Sequence, residues 1–351
     1  DAAPRPPEGR NMTDRYEVPT LLAFAGSLFR AAGLAPALAE PVARYLVEAD
    51  RMGDDTHGLA LAAWYLGHIE DGTVARDGDP RTVSDKGAAV AWAGRRLPGA
   101  YLVTRALDLA VDRARTYGTC TVNIGTAHHI GALAAYLHRA TDHSMLVSIA
   151  SSSPSGAQVA PFGGLKGVFT PNPVAHGIPT PQGPVLIDIS ASITTFNMAQ
   201  RLIREGRAYP GAWVMTPDGT PSADPADLTR GGTLLPTGGL DHGQKGYGMA
   251  LQVEALTQGL AGYGRADAPK GTNSAVTVQV WDPAAFGGAD AFLRQTGWLA
   301  DACHASPPRD AARPVRLPGE AALARKARAL AEGVTLYPSI MPSLAEPAAR
   351  L

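Results

Sequence analysis

Apolar positions in the first hundred residues recur every three to four places, the period of an amphipathic helix. Leu21, Leu22, Phe24, Leu28 and Phe29 predict one helix, with Thr20 as its cap and Gly33 near its stop. Leu38, Val42, Leu46 and Val47 predict a second over 37–52, and the run from Leu59 to Leu66 a third. Residues 89–93 read as a short strand. Val103, Leu107 and Val111 then mark a long helix over 101–117, closed by Gly118.

Beyond Gly118 the pattern changes. Strand-like runs at 119–124, 145–150 and 184–188 are separated by loops rich in glycine and proline, with one helix predicted over 132–140. Residues 205–245 read as loops, with turn signals at Pro217-Asp218-Gly219 and Asp224-Pro225. A helix over 247–260, a β-branched strand over 275–281 and a helix over 320–332 complete the pattern. The expected class is α/β, a mixed sheet flanked by helices from both ends of the chain.

Composition narrows the function classes. The 351 residues are 45% hydrophobic and 18% charged, as in a chain with much buried surface and roughly two domains. The net charge is −1 without a dense basic stretch, so neither nucleic acid nor a membrane is expected as partner. No apolar run reaches the ~18 residues of a membrane span. Cys120 and Cys303 have no metal-ligand spacing, and reduced thiols in a cytoplasmic protein are expected, with no metal. Asp1–Asn11 is expected to be a flexible tail or expression remnant, with Met12 as the natural start.

Thr56-His57-Gly58 carries the first candidate chemistry. Histidine alone has an unperturbed pKa suited to proton transfer near neutrality, and the first turn of a helix is a poor place for its charged form. Gly125 to Leu133, with His129, follows a strand and opens a predicted helix, a setting suited to phosphate oxygens. Asp188 ends an apolar strand and is placed to charge an imidazole. Lys245, in the glycine-rich run before a predicted helix, supplies a point charge for phosphate. Neither Gly-x-Gly-x-x-Gly nor a Walker loop occurs, so a dinucleotide would need another scaffold.

Taken in order, Asp55 to Gly58, Val159 to Gly164, Leu186 to Ser192, Lys245 to Gly248 and Pro318 to Glu320 resemble the type 2 malate/L-lactate dehydrogenase family. That family includes ureidoglycolate, sulfolactate and diketogulonate oxidoreductases and cyclic imine reductases. The resemblance, over about 18–336, implies a non-Rossmann, sulfolactate dehydrogenase-like α/β fold and a homodimer whose subunits both contribute to the active-site region. It implies NAD or NADP, with NADPH slightly favoured, and a small-molecule substrate. His57 would be the proton donor, with Thr56 and Asp188 holding and charging it. His129, Ile130, Gly131, Ala132, Leu133, Ile178, Pro179, Thr180, Lys245, Gly246, Pro318, Gly319 and Glu320 would contact the cofactor. The implied division is a helical, substrate-binding and dimerisation domain over 12–125 and 280–351, around a cofactor domain over 126–279.

Departures from the family bear on the substrate. Leu61 stands where the family has an arginine that grips the substrate carboxylate, Met198 occupies a second basic position, and His128 replaces an asparagine. An ungripped buried carboxylate costs on the order of 3–5 kcal/mol. A ketone or cyclic imine larger and more apolar than pyruvate, from specialised metabolism, is therefore expected. Non-redox proton-transfer chemistry and a catalytically silent binding protein are the alternatives. Arg201, Arg204, Arg207, Arg316 and Arg325 are all conceivable partners for a 2′-phosphate.

Overall fold

β-Branched residues build the centre of the molecule. In a computed structural model, which describes residues 15–350, seven strands form one sheet. They are β1 (Arg81–Asp85), β2 (Ala89–Ala93), β3 (Thr119–Ala127), β4 (Leu146–Ser152), β5 (Val174–Ile178), β6 (Val185–Ile189) and β7 (Ser274–Trp281). Their order is β1-β2-β3-β7-β4-β5-β6, and only the β2–β3 pair is parallel. Val276, Val278 and Val280 of β7 stand opposite Ile124, Val122 and Cys120 of β3, while Val278 and Val280 also face Ile149 and Val147 of β4. All of these side chains are fully buried, each valine or isoleucine contributing about 1.5–3 kcal/mol. The readings for Asp1–Asn11 and Met12 lie outside the described residues.

Nine helices of eight residues or more surround the sheet among the described residues: α1 (Val18–Ala31), α2 (Pro36–Met52), α3 (Ala62–Glu70), α4 (Gly99–Tyr117), α5 (Phe196–Glu205), α6 (Gln244–Glu254), α7 (Ala289–Ala305), α8 (Glu320–Glu332) and α9 (Ile340–Arg350). Leu102, Val103, Leu107 and Val111 of α4 share the main core with the sheet, with α1–α3, and with Ala329 of α8 and Leu344 of α9. Helices from both chain ends thus share one interior. A smaller core of Val159, Phe169, Ala199, Leu202, Val214 and Leu234 gathers the loop-rich region.

Several elements differ from the pattern-based expectation. Glu17, not Thr20, takes the N-cap of α1, because Pro19 fits the first helical turn. The helix expected over 132–140 is two short turns, Leu133–Tyr136 and His138–Thr141, and the Ala134 N–H, free at the start of the first, bonds Asp188. α6 passes into a π-helical turn at Ala255–Gly259. Asn123 Nδ2 takes the carbonyls of Leu256 and Thr257 there (3.1 and 3.0 Å), an intrusion of the kind that widens a helix. The apolar pattern marks no strand at β1 or β5 and no helix at α5. β1 is an exposed edge strand with the sequence Arg-Thr-Val-Ser-Asp, too polar to signal itself.

Candidate active site

Gly53 ends α2 in the left-handed region (φ +84) and turns the chain into Asp54 to Gly58. His57 therefore lies in a turn ahead of the 3-10 segment Leu59–Leu61 and α3, not in the first helical turn. Gly58 is small by necessity, since a Cβ would sit 2.1 Å from Asp50 Oδ1. Asp50, buried in α2, accepts the Leu59 N–H at 2.8 Å and so ties the turn to the helix. Burial pushes its pKa up to about 8, which keeps this carboxyl protonated at neutral pH.

Two oxygens face Nδ1 of the His57 ring. Thr56 Oγ1 donates to Asp54 Oδ1 (3.1 Å), so it can only accept from His57 Nδ1 (2.9 Å); Asp54 Oδ1 itself is 3.4 Å from Nδ1. Burial alone would lower the imidazole pKa. The Asp54 hydrogen bond and charge, with the charge of Asp188, outweigh it and raise the pKa above its usual value. Asp54 answers in kind: burial would raise its carboxyl, but His57 and Thr56 hold it low. Asp188 accepts the Ala134 N–H at 2.7 Å and reaches His57 through space only. Desolvation by the cleft walls pushes its carboxyl up to about 6. The contacting carboxylate is thus Asp54, absent from the candidates drawn from the sequence; its i, i+3 spacing to His57 is the signal that could have found it.

The neighbouring imidazole is held differently. His129 lies nearly parallel to His57, with ring centroids 6.0 Å apart. Its Nδ1 accepts the buried Tyr65 hydroxyl (2.7 Å) and the Gly131 N–H (3.3 Å), so the proton sits on Nε2. Burial, with repulsion from His57 and His128, keeps it neutral. Behind it His128 Nε2 meets His68 Nδ1 at 2.9 Å, and burial drops the His128 pKa to about 3. Trp64 packs edge-on against His68 and His129. No group of three or more His, Cys, Asp or Glu among the described residues suits a metal ion.

These groups open on one cleft of about 1230 Å³. His57, Thr56, Asp188, His129, Ile130, Gly131, Ala132, Leu133, Pro318, Gly319 and Met198 all line it. Ile178, Pro179, Thr180, Lys245, Gly246 and Glu320 do not. Thr180 bonds the Gly183 carbonyl, Glu320 accepts from His304, and Lys245 is exposed at the start of α6. Leu61, expected on the pocket wall, is packed in the main core instead, where an uncharged side chain gains by burial. Of the candidate phosphate partners only Arg207 and Arg325 reach the cleft. Arg201 is committed to Asp55 (2.7 Å) and Glu205 (3.0 Å) and lies over the Tyr337 ring. One wall carries the hydroxyls of Ser151, Ser153, Ser155, Thr170, Thr272 and Ser274, beside Gln158, whose buried Oε1 has no partner. A cleft of this volume, lined by side-chain hydroxyls, by the unpartnered Gln158 oxygen and by the backbone of Gly131 and Gly319, has room and polar groups for a dinucleotide.

Comparison with known proteins agrees. The family model described as malate/L-lactate dehydrogenase matches residues 16–345. The L-lactate dehydrogenase of Cupriavidus necator is 30% identical over 317 residues, 88% of this chain and 89% of that protein. The Δ1-pyrroline-2-carboxylate/Δ1-piperideine-2-carboxylate reductase of Pseudomonas syringae pv. tomato is 30% identical over 255 residues, 71% of each. Among solved structures, a putative malate/lactate dehydrogenase from E. coli superposes with a TM-score of 0.88 at 26% identity, covering 96% of this chain and 95% of that one. The chain belongs to the malate/L-lactate dehydrogenase family and is a nicotinamide-dependent oxidoreductase.

Proposed function

We propose that the chain reduces a ketone or cyclic imine, with His57 donating the proton. The carrying observation is the pairing of His57 Nδ1 with Thr56 and Asp54, which raises the imidazole pKa and leaves Nε2 for a ligand. The bound cofactor supplies hydride. His129 to Leu133, Pro318 and Gly319 would hold it, and Arg325, at the Pro318–Gly319 end, would meet a 2′-phosphate; this favours NADPH over NADH. Thr56 and Asp54 orient the imidazole, and Asp188 adds negative charge that sustains its protonated form. His129, with its proton on Nε2, is a neutral donor to the substrate oxygen or nitrogen. A positioned general acid contributes about 10²–10⁴-fold. The substrate departs from small 2-oxo acids, because Leu61 offers no cation and lies in the core. A homodimer in the cytoplasm is part of the same proposal; among the described residues no helix is long and apolar enough to cross a membrane.

The test is a fluorescence titration with NADPH and with NADH, followed by turnover of ketones and cyclic imines. Binding of either cofactor with measurable reduction supports the reading. Absence of binding by both ends it, and binding without reduction of any carbonyl or imine favours proton-transfer chemistry.

A further inference from the structure

We propose that the substrate seat beside His57 takes a flat, ring-bearing imine or ketone without a carboxylate, and that Trp64 is the platform it lies on. The proposal deepens the function above and rests on it. Trp64 is 40% exposed although its neighbours Tyr65 and Ala62 are buried. A large apolar side chain left open on a concave wall marks a ligand contact more than a packing residue. It touches His129, which stacks on His57, so the indole is continuous with the proton donor. Phe196 and Ile189, also open to solvent, line the same cleft with Met198 and Trp213.

Charge points the same way. Asp54, Asp55 and Asp188 line the cleft against Arg207 and Arg325. Arg207 is bound to Glu205 at 2.8 Å, and the Arg325 Nε donates to the Met52 carbonyl at 2.9 Å. Beside His57 a substrate carboxylate would therefore meet Asp54 and Asp188, while Arg207 already shares its charge with Glu205 and Arg325 is the proposed partner of the cofactor's 2′-phosphate. A neutral ring, or the cation of a protonated cyclic imine, is favoured over an indole face. In the reaction the nitrogen of a neutral imine gains the proton from His57 and the adjacent carbon gains hydride from the reduced cofactor, giving a secondary amine and the oxidised cofactor; an imine that enters already protonated takes the hydride alone. A ketone gives a secondary alcohol by the same transfers.

The experiment compares 3,4-dihydroisoquinoline and 1-tetralone with pyruvate and Δ1-piperideine-2-carboxylate as substrates of the full chain with NADPH and NADH. Calorimetry with isoquinoline, a flat probe that is not reduced, reads the seat independently of turnover. Flat substrates should be reduced in preference to the carboxylates; preference for the imine or the ketone tells the two apart. Trp64→Ala should weaken isoquinoline binding about five- to tenfold, the scale of one aromatic contact, and lower kcat/KM mainly through KM. Trp64→Phe should retain most of both. Carboxylate substrates reduced best, or isoquinoline bound equally by Trp64→Ala, would overturn the proposal. So would loss of oligomeric order in Trp64→Ala without any probe binding by the parent protein, which would make Trp64 a subunit contact. Trp64-dependent probe binding with no reduction of any substrate would uphold the seat and refute the reductase.

Discussion

His57 and His129 lie 6.0 Å apart on one cleft and carry the same side chain, yet their surroundings drive them to opposite charge states. At His57 a carboxylate and a hydroxyl that can only accept face Nδ1; at His129 a backbone amide, which can only donate, faces it beside the Tyr65 phenol. The first environment stabilises a second proton on the ring. The second forbids a proton on Nδ1 and fixes a neutral tautomer. What stands behind the ring decides what the ring can do in front. One imidazole can give a proton away while the other holds its own and donates only a hydrogen bond.

Removing either half should separate these roles. His57→Ala is expected to have the largest effect, a loss of about 10²–10⁴ in turnover with nucleotide binding unchanged by fluorescence titration; undiminished turnover would sink the acid assignment. Asp54→Asn comes next. Reduction requires the imidazolium, so its rate falls as pH rises through the raised pKa of His57. Taking away the contacting negative charge lowers that pKa and moves the falling limb of the pH–rate profile toward acid, with a several-fold loss at pH 8. A limb that stays put would exclude Asp54 as the partner. Tyr65→Phe removes one neutral hydrogen bond, about 0.5–1.5 kcal/mol, or roughly two- to tenfold in rate. Nitrogen-15 chemical shifts of the His129 ring should show Nδ1 unprotonated and the ring untitrated in the parent, and a mixed tautomer in the variant. Asp188→Asn should move the pH limb in the same direction as Asp54→Asn but by less, because Asp188 acts without contact.

The helices that carry periodic apolar residues, and the valine-rich strand at the centre of the sheet, were legible along the chain because burial imposes its period on them. His57 and Asp188 were legible as candidates, and the motif order gave the family. The division of labour around the ring was not. Asp54 looks like any residue before a helix until Gly53 reverses the chain and brings its carboxylate back to Nδ1. Tyr65 falls among apolar residues of a helix and reads as core; its pairing with His129 joins positions 64 residues apart. The π turn was hidden for the same reason, since Asn123 acts on carbonyls more than 130 residues further on. Interactions between distant segments leave no local period to detect.

The placement of β7 has a consequence for how the polypeptide acquires its shape. This strand is the last of the seven to be synthesised, yet it inserts between β3 and β4 and hydrogen-bonds to both. Until it emerges from the ribosome, two hydrophobic strand edges stand open, a template for association with other nascent chains. Maturation of this enzyme is therefore gated by its final quarter, and shortened chains ending before Ser274 should accumulate as aggregates.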